Sequence, residues 1–108
     1  MTTLNSAAAS VMLSQNVKAA TDVTGFGLLG HLGNMLKASS IVAQTALGAN
    51  LSHAKIPLFE SLETLLEQGL CPAGTPRNLE TAAPLTEFSD SISSSHQVLL
   101  ADPLTSRE

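Results

Sequence analysis

The sequence predicts an α/β (α+β) fold, in which a mixed sheet of about three to four strands is packed by helices. Two stretches, 25–38 and 56–69, show apolar residues recurring at helical spacing. Three short stretches rich in apolar or β-branched residues lack that recurrence and are predicted as strands. A chain of 108 residues with 44% hydrophobic residues suits a single small domain, so one domain is predicted over 1–108.

The first half of the chain is predicted to run helix, strand, helix. A helix is predicted over 3–15 because apolar residues recur there at helical spacing among several alanines. The stretch 17–23 carries no such stripe and is predicted as a strand. The next helix, over 25–38, contains the residues that are predicted to face the sheet, Phe26, Leu29, Leu32 and Leu36.

The second half is predicted to run strand, helix, loop, strand. A strand is predicted over 41–47, and a helix within 56–69, which has a proline near its start and a glycine at its end. The loop "LCPAGTPRN" follows over 70–78, and 79–94 is predicted as a short helix or an irregular segment. A last strand is predicted over 96–101, which completes the order α-β-α-β-α-loop-β.

The charge content excludes one class of function and suggests how the surface is used. Charged residues make up 13% of the chain, about half of the usual ~25%. We therefore expect much of the exterior to pack against something else; a merely neutral surface is the alternative. The net charge is −4, and the five cationic residues are scattered singly, so no nucleic-acid partner is expected.

Membrane and redox features are equally sparse. No apolar run approaches the ~20 residues that span a bilayer, so no membrane association is expected. The single cysteine, Cys71, cannot form an internal disulfide, which fits a reducing compartment. A secretory leader is not visible in the sequence, and a cytoplasmic location is predicted.

The stretch "ATDVTGFGLLGHLGNML", residues 20–36, contains the spacing G-x-G-x-x-G. A dinucleotide-binding turn needs an apolar strand before the glycines and an acidic residue about 20 positions later. Polar residues interrupt the preceding stretch, and the next acidic residue after Asp22 is Glu60. Asp22 would also repel a pyrophosphate unless a cation lay between them. The dinucleotide interpretation is therefore disfavoured.

Asp22 itself has two interpretations. Mg²⁺ commonly takes one or two carboxylates together with substrate phosphates and water. A carboxylate just before a helix N-terminus could hold such an ion, and the helix dipole favours phosphate at the same place. Alternatively, Asp22 caps the helix or pins the turn. Spacing alone leaves both interpretations open.

Three motifs carry a resemblance to a known family. "TDVTGFGLLGHL", "GTPRN" and "LLADPLTS" resemble, in this order, the C-terminal domain of selenophosphate synthetase (selenide, water dikinase). Other ATP-using enzymes with aminoimidazole-ribonucleotide-synthetase-type domains resemble the chain more loosely. The resemblance implies an ATP-dependent phosphotransferase that converts ATP, selenide and water into selenophosphate, AMP and phosphate, for selenocysteine and selenouridine synthesis.

The resemblance also implies how such an enzyme is built. It implies a homodimer of two-domain chains, with Mg²⁺ as cofactor and most of the ATP site in the N-terminal domain. Asp22 matches the aspartate that the family uses as a metal ligand. The catalytic residues of the family have no counterpart here, so no catalytic residue is assigned and Cys71 is not promoted to that role.

The chain departs from the family pattern at several positions. No counterpart of the N-terminal ATP-binding domain is found, so the chain alone is predicted to be inactive. Ala73 stands where the family has a glycine, and "DPLTSRE" stands where it has "DPQTSGG". We therefore predict a sheet truncated at its C-terminal end. A non-catalytic dimerisation or docking module, and a C-terminal domain of another ATP-using enzyme of the superfamily, remain the alternatives.

The remaining polar candidates are expected to be structural. His31 matches the family's Gly-His pair, and a packing or hydrogen-bonding role is favoured over metal ligation. Arg77 and Asn78 match an Arg-Asn pair that could order the loop or approach phosphate, with order favoured. His53 and His96 have no partner at metal-ligand spacing.

Overall fold

The computed structural model describes residues 4–101, and five α-helices form the framework of this part of the chain. They are α1 (Ser6–Ser14), α2 (Gly27–Ala43), α3 (Leu62–Glu67), α4 (Thr75–Ala82) and α5 (Ser94–Ala101). Two short 3₁₀ turns lie at His53–Lys55 and Ala83–Leu85. The positions in 102–108 where the sequence departs from the family pattern, including Leu104 and Arg107, lie outside the described residues.

The predicted mixed sheet is wrong for this part of the chain. No strand ladder forms among residues 4–101, where Leu58 alone has a bridge-type pairing. Residues 17–23 lie between α1 and α2 without regular structure, because no other described residue pairs with them as the partner strand that a ladder needs. Within residues 4–101, the predicted α-β-α-β-α-loop-β order is therefore replaced by a succession of helices, and the sheet whose truncation was predicted is not found there.

The other two predicted strands are helical for identifiable reasons. Ile41–Ala43 continue α2 instead of starting a strand. Residues 96–101 lie inside α5, where the backbone N–H of His96 donates to Ser93 Oγ at 3.3 Å, an N-cap contact. A short apolar run does not by itself distinguish a strand from a buried helix, and this cap decides the matter.

The three predicted helices are present with changed bounds. The helix predicted over 3–15 is α1, and the one predicted over 25–38 is α2, which extends to Ala43. The helix predicted within 56–69 is shortened to α3, so its proline lies outside it. The predicted loop over 70–78 holds only in its first half, because α4 begins at Thr75 with a proline in its first turn.

Helices α1, α2 and α3 all end in a left-handed residue. Asn16, Gln44 and Gly69 have φ values of 54°, 54° and 76°. After α2, the N–H of Gln44 donates to the Ile41 carbonyl at 3.3 Å, and that of Thr45 to the Ser40 carbonyl at 3.2 Å. This pair of bonds is the Schellman motif, which satisfies the last carbonyls of the helix. The predicted helix stop at Gly69 is confirmed.

The core lies where α2, α4 and α5 pack together. Leu29, Ala82 and Leu100 are buried there. Leu28 of α2, and Ile56 and Phe88 from the connecting segments, are partly buried and pack against them. Helix α3 packs on α5 from outside this group. The loop before α2 lies mostly at the surface, whereas Gly27, the first residue of α2, is buried.

The predicted inner face of α2 is only partly correct. Leu29 is buried, whereas Leu32 and Leu36 are half-buried and Phe26 is 62% exposed. With no sheet beneath α2 in the described part of the chain, the apolar stripe is covered mainly by α4 and α5. Two helices cover less of the stripe than a sheet would.

Candidate functional site

Asp22 lies in the loop before α2, and its side chain is exposed. The carboxylate forms no ion pair with any residue in 4–101. Lys18, a conceivable partner, donates instead to Asn16 Oδ1 at 2.9 Å. A carboxylate that pinned the turn would have been expected to lie buried against such a cation. The Asp22 carboxylate is therefore accessible, and it is not held by a cation among the described residues.

His31 binds the same loop on both sides of Asp22. The backbone N–H of Thr24 donates to His31 Nε2 at 3.1 Å, and the Thr24 hydroxyl lies at the same distance from that nitrogen. On the other side of the ring, Thr21 Oγ1 lies 3.4 Å from His31 Nδ1. Both ring nitrogens therefore face threonines of the motif, which fits the expected hydrogen-bonding role of His31.

The directions of these hydrogen bonds identify the tautomer of the ring. A backbone N–H can only donate, so Nε2 of His31 must be the accepting nitrogen and the proton must sit on Nδ1. Nδ1–H then points to Thr21 Oγ1, whose own hydroxyl donates to the Asp22 carbonyl at 2.9 Å. A chain of donors thus runs from the imidazole to the backbone of Asp22.

The helix geometry explains why His31 reaches this loop. Side chains on an α-helix tilt toward its N-terminus and cover the preceding turn. His31 is four residues after Gly27, the first residue of α2, so its ring lies over the helix start. The ring of Phe26 packs beside it, with centroids 5.6 Å apart.

Asn78 fixes the turn at Gly25, inside the motif. Its Nδ2 donates to the Gly25 carbonyl at 2.9 Å and to the Ala101 carbonyl at 3.0 Å. One side chain of α4 therefore joins the start of α2 to the end of α5. Asn78 has the favoured structural role, but it joins Gly25 and Ala101 instead of ordering the loop over 70–78. The neighbouring Arg77 is exposed and forms no ion pair within residues 4–101.

The glycines of the motif serve packing, at least at Gly27. Its φ is +67°, and a Cβ there would lie 2.6 Å from the carbonyl carbon of Ala101. At Gly30 an added Cβ would meet Phe26 Cβ at 2.8 Å, while Gly25 and Gly33 have open space. The absence of a side chain at Gly27 thus admits the backbone of α5.

Asp22 fits a metal ion as a single ligand. No group of three or more His, Cys, Asp or Glu side chains among the described residues could hold a metal ion. A hard cation such as Mg²⁺ needs further oxygen ligands from water, phosphate or other carboxylates. At this position, the described residues 4–101 therefore offer a metal ion only the Asp22 carboxylate, just before the start of α2. The other ligands of such an ion would have to come from other groups.

A second polar group lies away from the motif. His96 Nε2 lies 2.9 Å from Glu63 Oε1, its Nδ1 lies 2.9 Å from Ser93 Oγ, and its ring centroid is 5.3 Å from that of His53. The structure thus brings together two histidines that the sequence left apart. Cys71 is exposed and remains unassigned.

Comparison with known proteins identifies the family. The model of the family described as "AIR synthase related protein, C-terminal domain" matches residues 1–88. The chain belongs to the AIR synthase related protein C-terminal domain family. In residues 4–101 of the chain, every helix is too short or too polar to span a membrane.

Curated relatives agree with the motif resemblance to selenophosphate synthetase. The chain is 41% identical over 106 residues to the selenide, water dikinase of Carboxydothermus hydrogenoformans, covering 98% of the chain and 29% of that protein. It is 43% identical over 110 residues to the Pseudomonas aeruginosa protein of the same name, covering 98% and 28%. The chain therefore spans under a third of the length of these two relatives.

Sequence reasoning singled out Asp22 and His31 but missed the two threonines that join them. A detectable signal existed: threonines at 21 and 24 flank the aspartate, and a histidine follows Thr24 by seven residues on the first turns of the next helix. A histidine in that position lies over the loop before the helix, as the tilt of helical side chains dictates.

Proposed function

We propose that this chain is the C-terminal domain of an ATP-dependent selenide phosphotransferase, a selenide, water dikinase, that forms selenophosphate, AMP and phosphate from ATP, selenide and water. Selenophosphate made in this way would serve selenocysteine and selenouridine synthesis in the cytoplasm. The observation that carries the proposal is the similarity of 98% of the chain to relatives of that name, at 41% and 43% identity.

Asp22 is proposed as the metal ligand that this domain contributes. Its accessibility, and the lack of an ion pair to any described residue, support this role. Mg²⁺ held there would neutralise charge on the phosphates of ATP. Asp22 supplies one carboxylate oxygen, and the rest of the site is proposed to lie in an N-terminal ATP-binding half or in a second copy within a homodimer.

A non-catalytic docking module is the second candidate, and the surface favours it. Large apolar side chains are exposed along the described part of the chain, among them Leu13 at 84%, Val42 at 86% and Leu85 at 82%. Such side chains suit contact with another protein surface. The same contacts would also serve an enzyme domain, so activity must separate the two candidates.

A chimera provides the test. The matching segment of the Pseudomonas aeruginosa enzyme is replaced by this chain, and AMP formation is measured with ATP, Mg²⁺ and selenide. We expect selenide-dependent AMP formation, which Asp22→Asn should lower by more than about tenfold, since even outer residues of metal sites contribute that much. Asp90→Asn, which removes another exposed carboxylate, should leave the rate unchanged.

The result that contradicts the enzyme proposal is equally clear. A chimera that folds and dimerises like the parent enzyme but forms no AMP would favour the docking module. Equal rates for the Asp22→Asn and Asp90→Asn chimeras would remove Asp22 from the metal site while leaving the family assignment unchanged.

A further inference from the structure

We propose that His31 is the positioning residue of the metal-binding loop, holding residues 21–24 so that the Asp22 carboxylate faces outward. The inference rests on the proposed function, because only there is Asp22 a ligand. His31 itself is not a ligand in this arrangement: Nε2 accepts from the Thr24 amide, and Nδ1 faces Thr21.

Among the described residues, little besides His31 holds this loop. No backbone–backbone hydrogen bond joins residues 18–23 to any other described residue. The first such bond after them runs from the Gly27 N–H to the Thr24 carbonyl at 2.9 Å, just before α2. The conformation around Asp22 therefore depends on the contacts that His31 makes one residue before it and two residues after it.

The chemistry of the imidazole suits this task. Holding the loop requires an acceptor for the Thr24 amide and a donor toward Thr21 on one rigid group. A neutral imidazole provides both, whereas lysine and arginine provide donors only. The His31 ring is attached to α2, and Phe26 packs beside it, so His31 holds the loop in a fixed position relative to this helix.

The substitution series uses the chain itself. His31→Phe keeps a ring but removes both polar contacts, and His31→Gln restores an acceptor and a donor on one side chain. His53→Phe is the matched control, because it replaces another half-buried histidine that does not contact the loop. Asp22→Asn reports on the ligand itself.

Two NMR measurements are made on each variant. Amide hydrogen exchange at residues 21–24 reports the order of the loop without any metal. Titration with Mn²⁺ reports metal binding, through paramagnetic broadening of the same amides. In His31→Phe we expect the amides of residues 21–24 to exchange faster than in the wild type. We also expect that at least about tenfold more Mn²⁺ is needed to broaden these amide signals to the same extent. His31→Gln should recover part of both effects, and His53→Phe should match the wild type.

The tautomer provides a spectroscopic check on the wild-type chain. Long-range ¹H–¹⁵N correlation of the His31 ring should show the proton on Nδ1 and an unprotonated Nε2 that is shared with the Thr24 amide. A proton on Nε2 would overturn the proposed arrangement, since the Thr24 amide would then have no acceptor there.

The outcomes separate the inference from the proposed function. Broadening that survives Asp22→Asn rejects Asp22 as the residue that binds Mn²⁺, while loop exchange still tests the role of His31. Broadening and exchange that are the same in His31→Phe and wild type overturn the inference, whatever Asp22 does. If His31→Phe fails to fold, Thr21→Val removes one contact at an exposed position, and unchanged exchange and broadening there overturn it instead.

Discussion

The backbone of Gly27 packs directly against the Ala101 carbonyl group, so that a Cβ at Gly27 would lie 2.6 Å from the Ala101 carbonyl carbon. Gly27 also has a φ of +67°, a region that side chains with a Cβ rarely adopt. The first residue of α2 and the last of α5 are therefore in a contact that only glycine permits.

Gly27→Ala should lower the free energy of unfolding by about 2 kcal/mol or more, from the left-handed backbone and the clash together. Urea denaturation followed by circular dichroism measures this. Gly33→Ala is the control, since a Cβ there meets nothing within 4 Å and alanine favours a helix. A Gly27→Ala chain as stable as wild type would show that α2 and α5 do not make this contact.

Asn78→Ala should cost about 1–3 kcal/mol of stability, because the carbonyls of Gly25 and Ala101 both lose their amide donor. Asn78→Asp should cost more, since a carboxylate would face two carbonyl oxygens. Thermal unfolding of both variants checks the order. Asn34→Ala, at an exposed position of α2, should stay near wild type; equal losses at 34 and 78 would contradict the bridging role.

Leu29→Ala should lower stability by about 2–5 kcal/mol, the usual cost of truncating a buried leucine. Leu29 is 8% exposed within the α2–α4–α5 core, while Leu13 on α1 is 84% exposed. Leu13→Ala should therefore change little, and the half-buried Leu32 should fall between the two. The midpoints of urea denaturation give the ranking, and a larger loss at Leu13 than at Leu29 would refute the assigned core.

The isolated chain should form no AMP above background when it is incubated with ATP, Mg²⁺ and selenide. Phosphoryl transfer depends on several groups that position the phosphates and neutralise their charge. The described residues provide no group of three His, Cys, Asp or Glu side chains that could hold a metal ion. Chromatography of the reaction mixture measures the AMP, and AMP formation that disappeared in Asp22→Asn would contradict this expectation.

Local signals predicted three of the five described helices, α1, α2 and α3, but not α4 and α5. Periodic apolar residues located α1 and α2, and Gly69 was correctly predicted as a helix end because a left-handed terminus suits glycine. The end of α2 was missed because Gln44 takes the same left-handed conformation without being a glycine. A helix end formed by a residue type that rarely takes the left-handed conformation cannot be predicted from the residue type alone.

The predicted strands were wrong for a different reason. A strand is defined by its partner, and the sequence of 17–23 contains no information about whether a partner lies beside it. For 96–101, the decisive contact was the cap at Ser93, which lies outside the predicted element. At the candidate site, the motif identified Asp22, but its link to His31 through two threonines depends on how the loop folds back over α2.

Helix α1 has a thermodynamic consequence for assembly. It comprises 9 residues and buries none of them. Isolated helices shorter than about 12–15 residues are marginal in water, so α1 gains little from the rest of the domain to offset its ordering entropy. Its amides should exchange with a local opening free energy near zero in the free chain. Any partner that covers Val11 and Leu13 must then bear that ordering cost, which lowers affinity for a given contact area and makes complex formation a coupled folding event.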